Sequence, residues 1–256
     1  MGKTGILKKI IILALILALP GFLYYLLTVK GKNRYEPLSY FGPKQLAKTS
    51  HTVKGKVIPD TIYHTVPDFK LTDQDGKAIS LSSLRDKIFI VSFFYTHCPT
   101  ICGQVNTNLS GLADGYAKNK MIWFLNITVD PQRDTVGALK AYANQFNNVV
   151  KWVDAAGDTT AQVKPFKKKF TVSDHWLFLT GDTSTIYPLA RNGFLVNALE
   201  GPGSNFIYSD KVILVDSHHH VRGYYDGTSA DDITRLENEI KVQVSEELRN
   251  NSEALY

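Results

Sequence analysis

The hydrophobic pattern of the chain predicts an α/β domain. Two predominantly apolar runs, Ile88–Tyr95 and Met121–Val129, are typical of strands that are buried on both faces of a parallel sheet. Each of these runs is followed by a segment whose apolar residues recur with the period of a helix. The predicted elements, in chain order, are a hairpin with strands 69–72 and 78–81, a strand over 88–95, a helix over 101–117, a strand over 121–129, a helix from 134 to 146, a short strand over 151–153, a helix over 161–170, a strand over 175–179, a helix over 182–192, a loop over 194–205, a hairpin with strands 212–216 and 221–225, and a helix over 230–248.

The order of these elements predicts a thioredoxin-like fold. Strand, helix, strand and helix are followed by a hairpin and a last helix, which is the thioredoxin topology. Asp134 and Asp182 stand where two helices begin, and we expect each to act as an N-cap. We assign this domain to residues 61–250. Residues 31–60, through which glycine and proline are scattered, are predicted to be a linker and lead-in.

Residues 1–30 are predicted to be an N-terminal membrane anchor. Ile10–Val29 has about 20 residues without a charge, which as a helix reach about 30 Å and span a bilayer. A cleaved signal peptide is the alternative, but the apolar stretch continues through Phe22–Leu26, beyond the usual length of a signal sequence. With its short tail inside, the chain would be a single-pass protein of the inner (cell) membrane, its soluble domain on the periplasmic or extracytoplasmic side.

The formal net charge of +5 does not indicate a nucleic-acid partner. Much of the excess is local, because basic residues flank the apolar N-terminal stretch and a second group lies within the predicted helix 161–170. No interleaving of aromatic and basic residues accompanies either group. We interpret the second group as the solvated face of a helix. Its members are Lys164, Lys167, Lys168 and Lys169.

The candidate chemistry of the chain lies in its two cysteines, Cys98 and Cys102. They stand where the strand 88–95 gives way to a helix, so that free N–H groups and the helix dipole favour thiolates. Cysteines four residues apart share a helical face, where they can close a disulfide or hold one soft metal ion. Burial as two small hydrophobic side chains is the alternative. Zinc is not expected, because no second pair of ligands stands at finger spacing.

The motifs around these cysteines resemble those of the Sco/SenC family, membrane-anchored copper chaperones that serve cytochrome c oxidase. The resemblance covers about residues 60–245. It implies a thioredoxin-like fold behind an N-terminal anchor, and one copper ion held by two cysteines and a histidine. The matching segments are FFYTHCPTIC (93–102), TVDPQRDT (128–135), WLFLTG (176–181), KVILVD (211–216) and RGYYDG (222–227).

Two positions of this sequence depart from that family pattern. The histidine ligand is expected just before the strand that begins at Lys211, and this position holds Tyr208. Gly103 follows the second cysteine, where the family usually has proline. The resemblance thus implies copper ligation by Cys98 and Cys102 with a phenol in the third place. A phenol is a hard oxygen donor with a pKa of about 10, so we expect weaker copper binding.

Several histidines and one aspartate are candidates for neighbours of the site. His97 adjoins Cys98 and is better suited to tune its pKa than to bind the metal, because neighbouring residues at a strand end point apart. Asp130 ends the adjacent strand, where it either orients the site or belongs to a simple turn. His175 is expected at a strand end near the surface. The triplet His218–His220 lies at a turn roughly 25 Å from the site and is either solvated or a separate metal site.

The sequence therefore predicts a metallochaperone or thiol–disulfide factor of the Sco type that assembles the copper site of cytochrome c oxidase. Its partners would be the membrane and an oxidase subunit or another thiol or copper protein. The alternative is a copper-independent thiol–disulfide oxidoreductase, because Tyr208 replaces the histidine. In that chemistry Cys98 attacks a partner disulfide through a mixed disulfide. The chain lacks the characteristic motif of peroxiredoxins, which disfavours a peroxidase. A pure binding module is a further alternative.

Overall fold

The structure is a computed structural model that describes residues 3–26, 37–53, 55–99, 101–146, 149–153, 166–170, 174–200 and 206–253. The chain divides into two compact units, residues 1–36 and residues 37–256. The predicted border between anchor and lead-in, at residue 30, falls inside the first unit.

The first unit contains one helix, α1 (Lys3–Tyr25). Among the described residues, no helix combines the length and the apolar character that crossing a membrane requires. The structure therefore does not support the predicted transmembrane anchor. Residues 27–29 of the predicted span, Ile10–Val29, lie outside the described residues.

The second unit alternates strands and helices largely as predicted. Short turns of 3₁₀ helix (Leu81–Leu84) and π-helix (Leu189–Gly193) join some of them. Its strands and helices are β1 (Lys44–Val53), β2 (Lys56–Tyr63), β3 (Lys70–Thr72), β4 (Ala78–Ser80), β5 (Ile88–Phe94), α2 (Ile101–Gly115), β6 (Ile122–Thr128), α3 (Val136–Asn144), β7 (Val149–Val153), β8 (Phe166–Phe170), β9 (Trp176–Leu179), α4 (Thr183–Pro188), β10 (Ala198–Glu200), β11 (Phe206–Tyr208), β12 (Lys211–Val215), β13 (Val221–Asp226) and α5 (Ala230–Glu253).

The central sheet has five strands in the order β13-β12-β5-β6-β9. β5, β6 and β9 run parallel, whereas β12 is antiparallel to both β5 and β13. Since Ile213 pairs with Val91, the start of β12 lies beside the end of β5. The segment before β12 is thereby brought to the same edge as the residues that follow Phe94. This arrangement positions the candidate site.

Both faces of β5 are buried, as its predominantly apolar sequence predicts. Phe89, Val91 and Phe93 pack on one side of the sheet, in a cluster that also holds residues of β3, β4 and α4. The alternate residues Ile88 and Phe94 pack on the other side with residues of α2, α3 and α5. Burying each such side chain stabilises the fold by about 1.5–3 kcal/mol. The end of β5, from which the cysteine loop leaves, is therefore firmly held.

Three regions differ from the sequence prediction. Phe166–Phe170 is a strand paired with β7 in place of the predicted helix over 161–170, because the ladder with β7 outweighs local helix propensity; residues 161–165 lie outside the described residues. The lead-in contains the β1–β2 hairpin, whose mostly exposed residues lack the alternation that marks a strand. The predicted loop over 194–205 contains β10, which pairs with β11.

Candidate functional site

The two cysteines form a disulfide between the end of β5 and the start of α2. The Cα atoms of Cys98 and Cys102 are 5.9 Å apart. Cys98 is half-buried, whereas Cys102 is only 2% exposed and faces the core from the first turn of α2. The backbone N–H of Cys102 donates to Cys98 Sγ at 3.2 Å. The first turn of α2 thus provides a donor to the more accessible sulfur, as a helix N-terminus does for reactive thiols.

The hydroxyl of Tyr208 lies between the two sulfurs. Its oxygen is 3.1 Å from Cys98 Sγ and 3.0 Å from Cys102 Sγ. Tyr208 is the last residue of β11, and its pairing with Ala198 on β10 sets its position. The ring of Tyr95 packs edge-on against it, with centroids 5.6 Å apart. The position that the family resemblance assigns to a histidine ligand therefore does face the cysteines.

The phenol of Tyr208 is held in its neutral form. Burial raises the pKa of Tyr208 to about 12, and the neighbouring hydroxyl of Tyr95 acts in the same direction. At neutral pH the group therefore has one O–H donor and an oxygen that can accept. It can donate to one sulfur at a time. It is a poor ligand for copper, because a metal would have to displace a proton that is unusually tightly held.

A buried carboxylate fixes the loop that leads to Cys98. Asp134 is fully buried and accepts the backbone N–H of Thr96 at 3.0 Å and hydrogen bonds from the hydroxyls of Thr96 and Thr128. The expectation that Asp134 caps a helix is wrong. Thr135 is the N-cap of α3, and its hydroxyl accepts from the N–H of Ala138 at 3.3 Å. Sequence reasoning missed the true role of Asp134 because its partners are distant in sequence.

His97 is exposed and points its ring to Thr96. Its Nδ1 is 3.0 Å from the Thr96 hydroxyl. Because that hydroxyl gives its only proton to Asp134, His97 Nδ1 is the donor in this contact. Within the described residues, His97 makes no hydrogen bond to either sulfur. The structure therefore places His97 beside the site without bringing its ring to the sulfurs.

Asp130 reaches the site only through its neighbours. Its carboxylate is buried and forms an ion pair with Arg133. The guanidinium of Arg133 lies over the ring of Phe206, 5.9 Å from its centroid, and Phe206 in turn packs on Tyr95 at 5.1 Å. Asp130 thus supports the aromatic residues around Tyr208, and its own oxygens are engaged by Arg133 and the turn.

The remaining histidines lie elsewhere. His218–His220 form the turn after β12, at the end opposite Tyr208, and His220 Nδ1 is 3.2 Å from a carboxylate oxygen of Asp216. His175 packs its ring on Trp123 at 4.8 Å. Over the described ranges, no group of three or more His, Cys, Asp or Glu residues is arranged to hold a metal ion. The donors present at the site are two sulfurs and a neutral phenol, which do not make the sulfur and imidazole set that the family resemblance implies.

A chain of buried polar side chains, which the sequence analysis did not identify, lies beneath the cysteines. The Ser92 hydroxyl donates to the Asn126 amide at 2.8 Å, Asn126 donates to Asn106 at 2.7 Å, and Asn106 donates to the Tyr142 hydroxyl at 3.0 Å. Asn106 is one helical turn after Cys102 on α2. The chain ties β5, β6, α2 and α3 together directly below the disulfide, since buried polar groups that satisfy one another fix the packing of the elements that carry them.

Comparison with known proteins gives concordant results. The family model described as SCO1/SenC matches residues 60–173. A SCO1 protein homolog of Bacillus subtilis is 31% identical over 93 residues, which are 36% of this chain and 48% of the relative. This chain therefore spans about half the length of that relative.

Two solved structures share the fold. The first is BsSco, which is described with a disulfide switch and as a member of the Sco family of cytochrome c oxidase assembly proteins. Its TM-score is 0.55 and its sequence is 24% identical, and the aligned part covers 71% of this chain and 94% of the BsSco chain. The second is ScoI of Arabidopsis thaliana, which is described with copper bound. Its TM-score is 0.52 and its sequence is 22% identical, and the aligned part covers 73% of this chain and 99% of the ScoI chain. With the matching segment and the shared fold in place, residues 60–173 of the chain are similar to the SCO1/SenC family.

Proposed function

We propose that this chain is a Sco-type thiol–disulfide factor for assembly of the copper site of cytochrome c oxidase. The observation that supports this function best is the Tyr208 hydroxyl, 3.0 and 3.1 Å from the two sulfurs, in the place of the third copper ligand. A neutral phenol adds little to metal binding, whereas it leaves Cys98 and Cys102 free to exchange. The relative BsSco is described both as an oxidase assembly protein and with a disulfide switch.

The unequal burial of the cysteines assigns their roles in exchange. In the reduced chain the half-exposed Cys98 thiolate attacks one sulfur of a partner disulfide, and the other partner sulfur leaves as a thiolate. The buried Cys102 thiolate then attacks Cys98 Sγ. The mixed disulfide breaks, the second partner sulfur leaves as a thiolate, and the Cys98–Cys102 bond forms. The partner gains two electrons, and an external dithiol protein restores the reduced pair.

Copper delivery is a second candidate function. A reduced pair of thiolates can hold Cu(I) as cargo, because soft sulfur ligands suit that ion. The observation in favour is the Arabidopsis relative with copper bound, which shares the fold. Cys98 and Cys102 would supply the sulfur ligands. The protonated Tyr208 lowers the expected affinity for both copper oxidation states.

We further propose that the domain works on the extracytoplasmic side of the cell membrane. The support is the disulfide between Cys98 and Cys102, since such bonds persist mainly in oxidising compartments. Treatment of intact cells with a reductant and then a thiol reagent, neither of which crosses the membrane, tests this location. Labelling of the two cysteines only after cell lysis would count against it.

A trapping experiment separates the two functions. The probe is a peptide with an oxidised cysteine pair, mixed with the reduced full chain. The Cys102→Ser variant should accumulate a mixed disulfide at Cys98, whereas Cys98→Ser should not. A parallel competition titration measures Cu(I) binding by the wild type. If the wild type leaves the peptide disulfide intact and binds Cu(I) tightly, copper delivery replaces thiol exchange as the function.

A further inference from the structure

The two sulfurs of the site have unequal surroundings. Cys98 Sγ is half-buried and accepts the N–H of Cys102 at 3.2 Å in addition to its contact with Tyr208. Cys102 is 2% exposed. Across the described residues, its Sγ has one hydrogen-bond donor, the Tyr208 hydroxyl at 3.0 Å. A sulfur nucleophile from outside therefore reaches Cys98, and the charge released by the broken bond appears on the buried Cys102.

From this asymmetry we infer that Tyr208 is a catalytic residue that donates a hydrogen bond to the Cys102 thiolate whenever the disulfide opens, an inference that rests on the proposed thiol–disulfide function. A thiolate of an external dithiol attacks Cys98 Sγ and forms a new S–S bond. The Cys98–Cys102 bond breaks, and its electron pair passes to Cys102 Sγ. The Tyr208 O–H then points to this sulfur and keeps its proton throughout.

The energetic reason is the burial of Cys102. An ionised group that is removed from water is strongly destabilised unless it is paired or hydrogen-bonded. A hydrogen bond to a charged acceptor is stronger than one to a neutral disulfide sulfur. The phenol does not lose its proton to the sulfur, because a phenol is a weaker acid than a thiol. Tyr208 thus stabilises the reduced pair more than the disulfide, and it makes Cys102 a better leaving group.

The same hydroxyl serves the reverse step. When Cys102 attacks the mixed disulfide at Cys98, the charge leaves Cys102 and the phenol O–H is again shared between two neutral sulfurs. The distances of 3.0 and 3.1 Å allow the O–H to turn from one sulfur to the other without movement of the ring. Tyr208 would therefore set the redox equilibrium of the pair as well as its rate. In this place a metal ligand has been exchanged for a redox-tuning donor.

The experiment measures reduction of the oxidised full chain by dithiothreitol, with quenching by alkylation and with copper chelated. Tyr208→Phe removes only the hydroxyl. We expect the reduction rate to fall at least tenfold. We also expect the dithiol–disulfide equilibrium to shift at least tenfold toward the disulfide, which corresponds to about 30 mV for a two-electron couple. Tyr116→Phe is the control, since it removes a hydroxyl that follows the far end of α2 and has no hydrogen-bond partner among the described residues, and its rate should stay within twofold of the wild type.

Further measurements make the result decisive. Thermal unfolding of the oxidised Tyr208→Phe protein should match the wild type, and Tyr208→His, which restores an N–H donor, should recover most of the rate. Equal rates and equilibria for wild type and Tyr208→Phe would overturn the inference while leaving the proposed function intact. If Tyr208→Phe fails to fold, a Tyr208→Leu rate equal to that of Tyr208→His overturns it as well. If the wild type itself does not exchange with the peptide disulfide, the proposed function fails.

Discussion

The two ends of β12 both gather residues that suggest chemistry, but their side chains are arranged in opposite ways. Just before the strand, Tyr208 meets the two sulfurs with a neutral hydroxyl. Just after it, His218–His220 surround the carboxylate of Asp216, which accepts the N–H groups of His218 and His220. Arg222 donates to the same carboxylate at 3.0 Å. The histidine-rich end looks more like a metal site in the sequence, yet its carboxylate, Asp216, is already engaged by Arg222 and by two backbone N–H groups.

The difference lies in how charge is compensated. At the histidine end, Arg222 is buried and also donates to Glu246 at 3.0 Å, and its guanidinium lies 4.1 Å from the ring centroid of Tyr40. One cation there serves two buried carboxylates. At the cysteine end, Cys102 has no charged partner among the described residues, so opening the disulfide creates a charge for which only Tyr208 is ready. Dense ion pairing and hydrogen bonding give a rigid structural cluster, and a single donor leaves a reactive site.

Removal of the central charge at the histidine end should have the largest effect. Arg222→Met keeps the length of the side chain but leaves Asp216 and Glu246 buried without their cation. We expect the free energy of unfolding to fall by about 3–5 kcal/mol, as for other broken buried pairs. Urea denaturation of the wild type and the variant measures it.

Lys241→Met is the control for that result. Lys241 pairs with Glu237 at 2.8 Å, but both side chains are largely exposed. Such pairs contribute about 0.3–0.5 kcal/mol, so this variant should unfold nearly as the wild type does. Equal losses for the two variants would mean that the Arg222 cluster is no more than a surface network, and the contrast between the two ends of β12 would fail.

Reduction of the disulfide should have an intermediate effect on stability. Cys98 and Cys102 are four residues apart, and closing so short a loop stabilises the fold by about 2 kcal/mol on the chain-entropy scale. Urea denaturation with and without dithiothreitol should show this difference. The double variant Cys98→Ala, Cys102→Ala should unfold identically in both conditions. A wild type that is insensitive to the reductant would indicate that the loop is held by Asp134 and its partners alone.

Replacement of Tyr208 by histidine tests how the residue facing the two cysteines affects copper binding. Tyr208→His gives the reduced site two sulfurs and an imidazole, a set suited to both copper oxidation states. We expect copper affinity to rise at least tenfold, or about 1.4 kcal/mol. Competition titrations with Cu(I) and Cu(II) measure it, with Cys98→Ala as the baseline. Equal affinities of wild type and variant would show that another group already completes the site.

Much of this fold follows from local pattern. β5 and β6 are predominantly apolar runs, and the cysteines lie where a strand meets a helix, so the sequence alone locates the site. The position of Tyr208 follows from the family motif, and its contact with the sulfurs agrees with the antiparallel pairing of β12 with β5. These features depend on periodicity or on neighbours in the chain, which is why they can be predicted.

What could not be predicted depends on distant partners. Asp134 resembles a helix cap in sequence, but its carboxylate is taken by Thr96, 38 residues away. The His218–His220 turn cannot be distinguished from a metal site until Asp216 and Arg222 are seen to engage it. Strand β8 has no strand pattern of its own and exists through its pairing with β7. In each case the local sequence allows two structural roles, and a contact with a distant part of the chain determines which role the residues have.

The smallest predicted effect is the pH dependence of stability at the histidine end. Burial lowers the pKa of His219, against the attraction of Asp216, and the charges of His218, His220 and Arg85 act in the same direction as burial. The unfolded chain therefore binds a proton at this imidazole, near its ordinary pKa of about 6.5, before the folded chain does. The contribution of His219 is present above that pH and is lost as the pH falls toward the lower folded pKa.

His219→Asn should remove this dependence. Asparagine tolerates the positive φ of 67° at this position, and the backbone carbonyl that accepts from Val66 is kept. Urea denaturation at about pH 7.5 and pH 5.5 should show a loss of stability for the wild type and a smaller loss for His219→Asn. His218→Asn, which replaces an exposed ring, should behave as the wild type. Asp216 titrates below this window, because hydrogen bonds from His220 and Arg222 outweigh burial and keep its pKa below the ordinary value. If His219→Asn loses as much unfolding free energy between the two pH values as the wild type does, another group is responsible for the pH response.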